Sequence, residues 1–304
     1  MDAHIKKRIK EIGGGAILFD VPMSPYTTFR VGGNVEAMYR AGNLEELKEM
    51  ISFLIDEGIP YLILGAGSNV LVGDGGLDGV AIILDGSFAS IEDTTMAGPC
   101  VLAGAGLSLQ KLVDFCTEKG LAGVEFLVGV PGTVGGAVAM NAGSGDQEIQ
   151  GVVKEVTVLT GGGIVERRDR LSLAFRYRGL DLNSGEIILN ATLNLRFDKP
   201  GLIRKRVISN IKWRKERFPL DMPCAGSIFK NPESDYAGRL IDAVGLKGRT
   251  IGGAMISPKH ANFIVNTGRA SVSDILALMD LAMVNVREIF NIQLIPEIKV
   301  VGKG

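Results

Sequence analysis

Two stretches of this chain carry so much glycine and alanine that neither a regular helix nor an ordinary strand runs through them unbroken, and the rest must be arranged around that fact. The first is Leu64-Gly65-Ala66-Gly67-Ser68-Asn69-Val70. The second is Gly129-Val130-Pro131-Gly132-Thr133-Val134-Gly135-Gly136-Ala137, leading into Val138-Ala139-Met140-Asn141-Ala142-Gly143. The first follows an apolar strand and has Asp85 downstream, so it superficially matches a dinucleotide fingerprint. The match fails at Val70, where a third glycine is needed. It fails again because Val70 to Gly76 reads as extended or turning chain, not as a helix start that could receive a pyrophosphate. What this loop offers instead is backbone: with no side chains at Gly65 and Gly67, its amides can converge on phosphate oxygens, and Ser68 and Asn69 add polar groups. In the second loop the small residues let backbone approach a flat ligand closely. Either loop alone is commonly a tight structural turn; two of them flanking a strand-rich segment point to a ligand site.

The surrounding pattern is α+β. Asn43 with Glu46 three residues on starts a helix whose apolar face is Leu47, Met50, Ile51 and Leu54, closed by Gly58. Strands are expected at Tyr61–Leu64 and Val80–Leu84, a second helix from Ser108 to Lys119, and further strands at Val152–Leu159, Ile164–Glu166 and Glu186–Phe197, with Gly161-Gly162-Gly163 as a hairpin turn. Leu202 to Arg217 is rich in Lys and Arg against a single acid, Glu216, and predicts a helix leading into another domain. The last helix starts at Ser271 and Asp274, with Ile275, Leu278, Met279, Ala282, Val286 and Ile289 at helical spacing; Leu294 to Val301 then returns as a strand. The stretch from Phe126 to Gly145 has no charge but contains Pro131 and six glycines, so it reads as buried loop and turn, not as a membrane span.

Composition narrows the function classes. Lys plus Arg (33) balance Asp plus Glu (34), so no global field recruits nucleic acid or an anionic membrane, and a small, locally recognised ligand is expected. The first eight residues lack the apolar core of a signal peptide, and Cys100, Cys116 and Cys224 are scattered without C-x-x-C spacing. A cytoplasmic location follows as the expectation, without a disulfide framework or a zinc site.

Six segments together carry a family resemblance: Phe29-Arg30-Val31-Gly32-Gly33, the 64–71 loop, Gly129 to Gly143, Gly226-Ser227-Ile228-Phe229-Lys230-Asn231-Pro232, Lys259-His260-Ala261-Asn262-Phe263-Ile264-Val265-Asn266, and Pro296-Glu297-Ile298. In this order they resemble the UDP-N-acetylenolpyruvoylglucosamine reductases, the MurB flavoenzymes, over nearly the whole chain. The short spacing between Asn231 and Pro258 resembles the branch without a substrate-covering insertion. The resemblance implies a two-subdomain FAD-binding fold of the vanillyl-alcohol-oxidase type plus a smaller α+β substrate domain, with boundaries expected at 1–86, 87–200 and 201–304. It implies FAD as cofactor, held through Gly65, Ala66, Gly67, Ser68, Asn69, Gly132, Thr133, Asn141 and Gly143, and NADPH as reductant. The only histidines are His4, at the N-terminus, and His260, in the expected substrate domain, so the FAD is expected to be non-covalent.

The implied reaction is reduction of an enolpyruvyl ether on a nucleotide sugar, a step in bacterial wall synthesis. It asks two things of the protein: stabilising enolate-like charge beside a carboxylate, and supplying a proton. Arg178 matches the family's carboxylate-binding arginine, a role that suits a permanently charged fork. Leu180 stands where a serine is expected, which leaves Arg176 as an alternative. Ser227 matches the proton donor and needs nearby positive charge, for which Lys230 and Arg217 are candidates. Glu297 matches the third catalytic residue and must hold a proton to face a carboxylate. Arg217, Lys230 and Asn231 are the expected substrate contacts, His260 is read as ordering backbone, and Cys224 as packing. Two rival readings remain: another FAD-dependent oxidoreductase on the same scaffold, and a catalytically silent FAD-binding sensor. Oligomeric state is left open.

Overall fold

The computed structural model describes residues 1–94, 96 and 98–304. Helices in chain order are α1 Ala3–Gly13, α2 Leu44–Asp56, α3 Leu109–Glu118, α4 Val134–Ala139, α5 Pro200–Arg217, α6 Ala237–Ala243 and α7 Val272–Phe290. Side-chain caps start α2, α3 and α7, and two of these, at Asn43 and at Ser271 with Asp274, are readable in the sequence. Asn43 accepts from the Glu46 N–H at 3.0 Å, Ser108 from Lys111 at 3.3 Å, and Ser271 and Asp274 form a reciprocal box at α7. On α7 the buried stripe is Ile275, Leu278, Met279, Ala282 and Val286; Ile289, expected to continue it, is exposed because the helix has outrun the core it covers. Among the described residues no helix is long and apolar enough to cross a membrane.

The chain gathers into two compact units that are discontinuous in sequence. The first comprises residues 1–19, 37–66 and 79–212, the second 20–36, 67–78 and 213–304. Segments 20–36 and 67–78, which the expected boundaries give to the N-terminal subdomain, therefore group with the C-terminal residues. Contiguous boundaries cannot express such a grouping, because the two segments bury their apolar Phe29, Val31 and Leu71 in a core otherwise built by residues 225–298.

In the first unit, Val165–Asp169, Val153–Leu159, Ile187–Asn194, Cys100–Gly104 and Ile91–Asp93 form a five-stranded antiparallel sheet in that order. Val156, Ala191 and Ala103 fall in register and are buried, and α4 packs on the sheet through Ile187–Asn194 and Cys100–Gly104. A second sheet orders Ile17–Pro22, Asn34–Ala41, Leu77–Leu84 and Tyr61–Ile63, the last two pairing in parallel through Tyr61–Ile63 and Val80–Ile82. In the second unit, Thr250–Ile251, Ala254–Ile256 and Ile264–Asn266 make a three-stranded antiparallel sheet, and Lys299–Val301 pairs in parallel with Val70–Val72.

Three expectations are corrected. The strand foreseen at Leu294–Val301 is regular only over Lys299–Val301, because the chain changes partners, bridging Phe229 at Pro296 and pairing with Val70–Val72 only from Lys299 on. The strand foreseen at Glu186–Phe197 breaks after Asn194, and Arg196–Phe197 pairs separately with Leu121–Ala122. Within Phe126–Gly145, read as loop and turn throughout, α4 forms: Thr133 caps it, accepting from the Gly136 N–H at 3.4 Å, and its packing against the sheet outweighs two interior glycines.

Candidate active site

The first small-residue loop has an exposed start and a buried middle. Gly65 and Ala66 are exposed, Gly67 is buried, and Ser68 and Asn69 are half-buried. A Cβ on Gly65 would lie 2.7 Å from Thr133 Oγ1, so within the first unit the two loops touch, and glycine is what lets them. Gly67, in the second unit, has φ +61°, and a Cβ there would meet the Tyr26 carbonyl at 2.0 Å. Beside it the Thr28 N–H donates to the Gly67 carbonyl at 3.1 Å, while the Thr28 hydroxyl is buried with no hydrogen-bond partner among the described residues. An orphaned hydroxyl at a side-chain-free loop fits a polar ligand resting there, as the expected cofactor's phosphates would. Gly132 and Thr133 are half-buried, so in the first unit the backbone of both loops is accessible to a ligand.

Asn69 has a second task. Its Nδ2 donates to the Glu297 carbonyl at 3.1 Å, and its own carbonyl accepts from the Lys299 N–H at 3.0 Å, which ties the loop to the chain carrying the candidate acid. Alongside runs the segment of Ser227. The Glu297 N–H donates to the Ile228 carbonyl at 2.8 Å, the Lys230 N–H to the Ile295 carbonyl at 2.8 Å, and Phe229 bridges Pro296. The same segment is fastened from its other side by Asn262, only 3% exposed. Its Oδ1 accepts from the Phe229 N–H at 2.9 Å, its Nδ2 donates to the Phe229 carbonyl at 2.8 Å, and its carbonyl accepts from the Ile228 N–H. Ser227 and Glu297, both half-buried, are thereby brought onto neighbouring backbone within the second unit.

The remaining polar candidates belong to the same unit. Arg217 is exposed, with its guanidinium 4.8 Å from the Trp213 ring centre. Lys230 is half-buried, and exposed Asn231 accepts from the Ala237 N–H at 3.1 Å, turning the chain into α6. His260 orders backbone as expected. Its Nδ1 accepts from the Asn262 N–H at 3.3 Å, its ring packs on Phe218 and Phe263, and burial followed by the nearby Lys247 charge lowers its pKa. Burial, first among its causes, raises the Cys224 thiol, which suits packing and not nucleophilic chemistry.

Arg178 belongs to the first unit, where Phe175–Arg176 and Gly179–Leu180 pair as a two-residue hairpin around Tyr177 and Arg178. Arg178 has φ +55°, a left-handed conformation that a β-carbon disfavours by about 1 kcal/mol and that the surrounding packing must hold. Its side chain is 20% exposed and its Nη1 lies 3.5 Å from Glu148 Oε1. Arg176, by contrast, is 67% exposed and pairs with Asp181 at 2.9 Å. Leu180, standing where a serine was expected, is 6% exposed and packs in the core opposite Phe175.

Sequence reasoning missed what surrounds Arg178. Asn141, expected among the cofactor residues, is fully buried in a left-handed conformation with φ +43°. Its carboxamide donates to Glu148 Oε2 at 2.8 Å and to the Arg176 carbonyl at 3.0 Å, and accepts from the Gln150 N–H at 3.2 Å. Gly143, also expected there, pairs with Glu148 across a short hairpin, and a Cβ on it would come within 2.9 Å of Arg178 Nη1. No spacing rule announces Glu148, Gln150 or Arg170, because they converge only through the hairpin and the turn that follows it.

The C-terminal domain family of UDP-N-acetylenolpyruvoylglucosamine reductase matches residues 218–301, and the FAD binding domain family matches residues 35–168. The UDP-N-acetylenolpyruvoylglucosamine reductase of Syntrophus aciditrophicus is 41% identical over 306 residues, covering 99% of this chain and 97% of that one. The enzyme of that name from Geobacter metallireducens is 38% identical over the full length of both. Among solved structures, UDP-N-acetylenolpyruvylglucosamine reductase from Thermus caldophilus superposes with a TM-score of 0.80 at 37% identity, covering 92% of this chain and 97% of that one. A VAO-type flavoprotein from Myceliophthora thermophila shares the fold over 65% of this chain and 48% of its own, with a TM-score of 0.51 at 14% identity.

Proposed function

This chain belongs to the UDP-N-acetylenolpyruvoylglucosamine reductase family, FAD-dependent oxidoreductases, and from that premise we propose that it reduces UDP-N-acetylglucosamine enolpyruvate to UDP-N-acetylmuramate with NADPH, in the cytoplasm, for peptidoglycan precursor synthesis. FAD, when bound, supplies the two-electron relay between nicotinamide and the enolpyruvyl double bond. Gly65 to Asn69 and Gly132 to Thr133 are the residues that hold it, through backbone and short polar side chains.

The chain's own residues handle charge and proton. Reduction of the enolpyruvyl ether leaves negative charge on the carbon next to the carboxylate. Arg178 faces that carboxylate with a charge that needs no proton bookkeeping, and its turn is held in place before substrate arrives. Ser227 Oγ gives its proton to the same carbon, and the Glu297 carboxyl, on adjoining backbone, shares a proton with the substrate carboxylate. Arg217, Lys230 and Asn231 contact the nucleotide-sugar portion. The observation that supports the reading most is the pairing of the Ser227 segment with Ile295–Glu297, reinforced from behind by Asn262. Stopped-flow kinetics test it. In Ser227→Ala, NADPH should still bleach the yellow absorbance at nearly the native rate, while anaerobic return of colour on adding the enolpyruvyl substrate slows by roughly 100-fold or more. Equal slowing of both half-reactions would remove Ser227 as proton donor.

A further inference from the structure

Glu148 is half-buried and holds two jobs on its two oxygens. Oε2 accepts from Asn141 Nδ2 at 2.8 Å and from Gln150 Nε2 at 2.6 Å, and Oε1 faces Arg178 Nη1 at 3.5 Å. Two neutral amides on one oxygen fix the rotation of the carboxylate, so the other oxygen points where the arginine is. The fixing continues outward. Arg170 donates from Nη2 to Gln150 Oε1 at 2.7 Å and from Nε to the Gln150 carbonyl at 3.1 Å, and its guanidinium lies 4.8 Å from the Phe175 ring centre. Asn141 reaches the same hairpin by donating to the Arg176 carbonyl. One charged network thus grips both the backbone turn and the guanidinium of Arg178, and Gly143 leaves the room that guanidinium occupies.

We propose that Glu148 is a positioning residue for the reaction, its carboxylate, pinned by Asn141 and Gln150, setting the orientation in which Arg178 meets the substrate carboxylate. The contact suits orientation better than neutralisation. At 3.5 Å it is a loose pair, and a guanidinium carries five N–H donors, more than one carboxylate oxygen can engage. The inference rests on the reading of Arg178 as the carboxylate's partner.

The test is a double-mutant cycle on the FAD-loaded enzyme with Glu148→Gln, Arg178→Lys and the pair. Glu148→Gln keeps the size and one acceptor oxygen for Asn141 and Gln150, but removes the charge and the acceptor that faces Arg178. Reoxidation by the enolpyruvyl substrate should fall about 10- to 100-fold, the cost typical of a displaced reacting geometry. NADPH bleaching, which involves no substrate carboxylate, should stay within about twofold, and calorimetric affinity of the oxidised enzyme for substrate within about threefold. The double variant should be no slower than Arg178→Lys alone, because Glu148 acts through the arginine. Reoxidation within about threefold of native, equal slowing of both half-reactions, or multiplicative losses in the double variant would each overturn the proposal. If Glu148→Gln does not fold, Gln150→Met decides. It leaves the carboxylate charged but held by Asn141 alone, and should slow reoxidation about three- to tenfold with bleaching unchanged; native reoxidation there overturns the proposal equally. Should Arg178→Lys itself reoxidise at the native rate, the underlying reading of Arg178 fails; should it be slow while Glu148→Gln is not, only the inference about Glu148 fails.

Discussion

Asn262 shows how much a single buried amide can carry. It satisfies the N–H and C=O of Phe229 with its side chain and the N–H of Ile228 with its carbonyl, and so determines where Ser227 stands. Replacing it with alanine leaves two buried backbone groups of Phe229 without partners, each a desolvation penalty of about 1–3 kcal/mol. Asn262→Ala should lower unfolding free energy by roughly 2–4 kcal/mol in urea titration and slow substrate-driven reoxidation more than NADPH-driven bleaching. A variant with native stability would mean that water takes over both bonds and that the residue is not what fixes the segment. Leu180 is the complementary case. The serine expected there is absent, and the position is filled by core packing opposite Phe175, so what the turn of Arg178 needs from residue 180 is burial.

At the scale of elements, the sheet of the first unit is fastened at one edge by an ionic cluster. Arg168, on the edge strand Val165–Asp169, donates to Glu186 at 2.6 and 2.9 Å and to Glu166 at 2.8 Å. The Glu186 side chain is 3% exposed and also accepts from the N–H and amide of Asn183. These hydrogen bonds, Arg168 first, hold its pKa down to about 2 against an ordinary value of 4.5. The folded value is the lower one, so folding favours the ionised form. The stabilisation is complete above about pH 4.5 and disappears as pH falls through about 2. Urea unfolding of native protein and Glu186→Gln should differ by on the order of 3 kcal/mol at pH 6, with the gap closing between pH 4.5 and 2. A gap that does not change with pH would assign the loss to packing instead of charge.

For the whole molecule the expectation concerns its cofactor. Of the two histidines, His4 is exposed on α1 and His260 is half-buried against Phe218 and Phe263. Acid precipitation should therefore leave all yellow colour in the supernatant and none on the protein. FAD added back to the stripped protein at about 100 times its dissociation constant should stabilise it by about 2.7 kcal/mol, raising Tm by several degrees in a concentration-dependent way. Colour retained by the precipitate would contradict the non-covalent assignment, and a Tm indifferent to FAD would contradict the site.

The chain's own letters determined whatever depends on neighbours in sequence. The caps at Asn43 and Ser271, the apolar face of α2, the glycine hairpin at 161–163 and the side-chain-free loops all follow from propensity and period, which act over a few residues. The ordered set of motifs was enough to identify the family. Only the fold decided that residues 20–36 and 67–78 belong with the C-terminal unit, that α4 forms despite its glycines, and that the chain changes partners between Pro296 and Lys299. Only the fold made Asn141, Glu148, Gln150 and Arg170 a cradle for Arg178. These outcomes turn on which distant surfaces are buried together, and burial at a distance leaves no local pattern in a sequence, since the partner that makes a polar side chain affordable can stand anywhere along the chain.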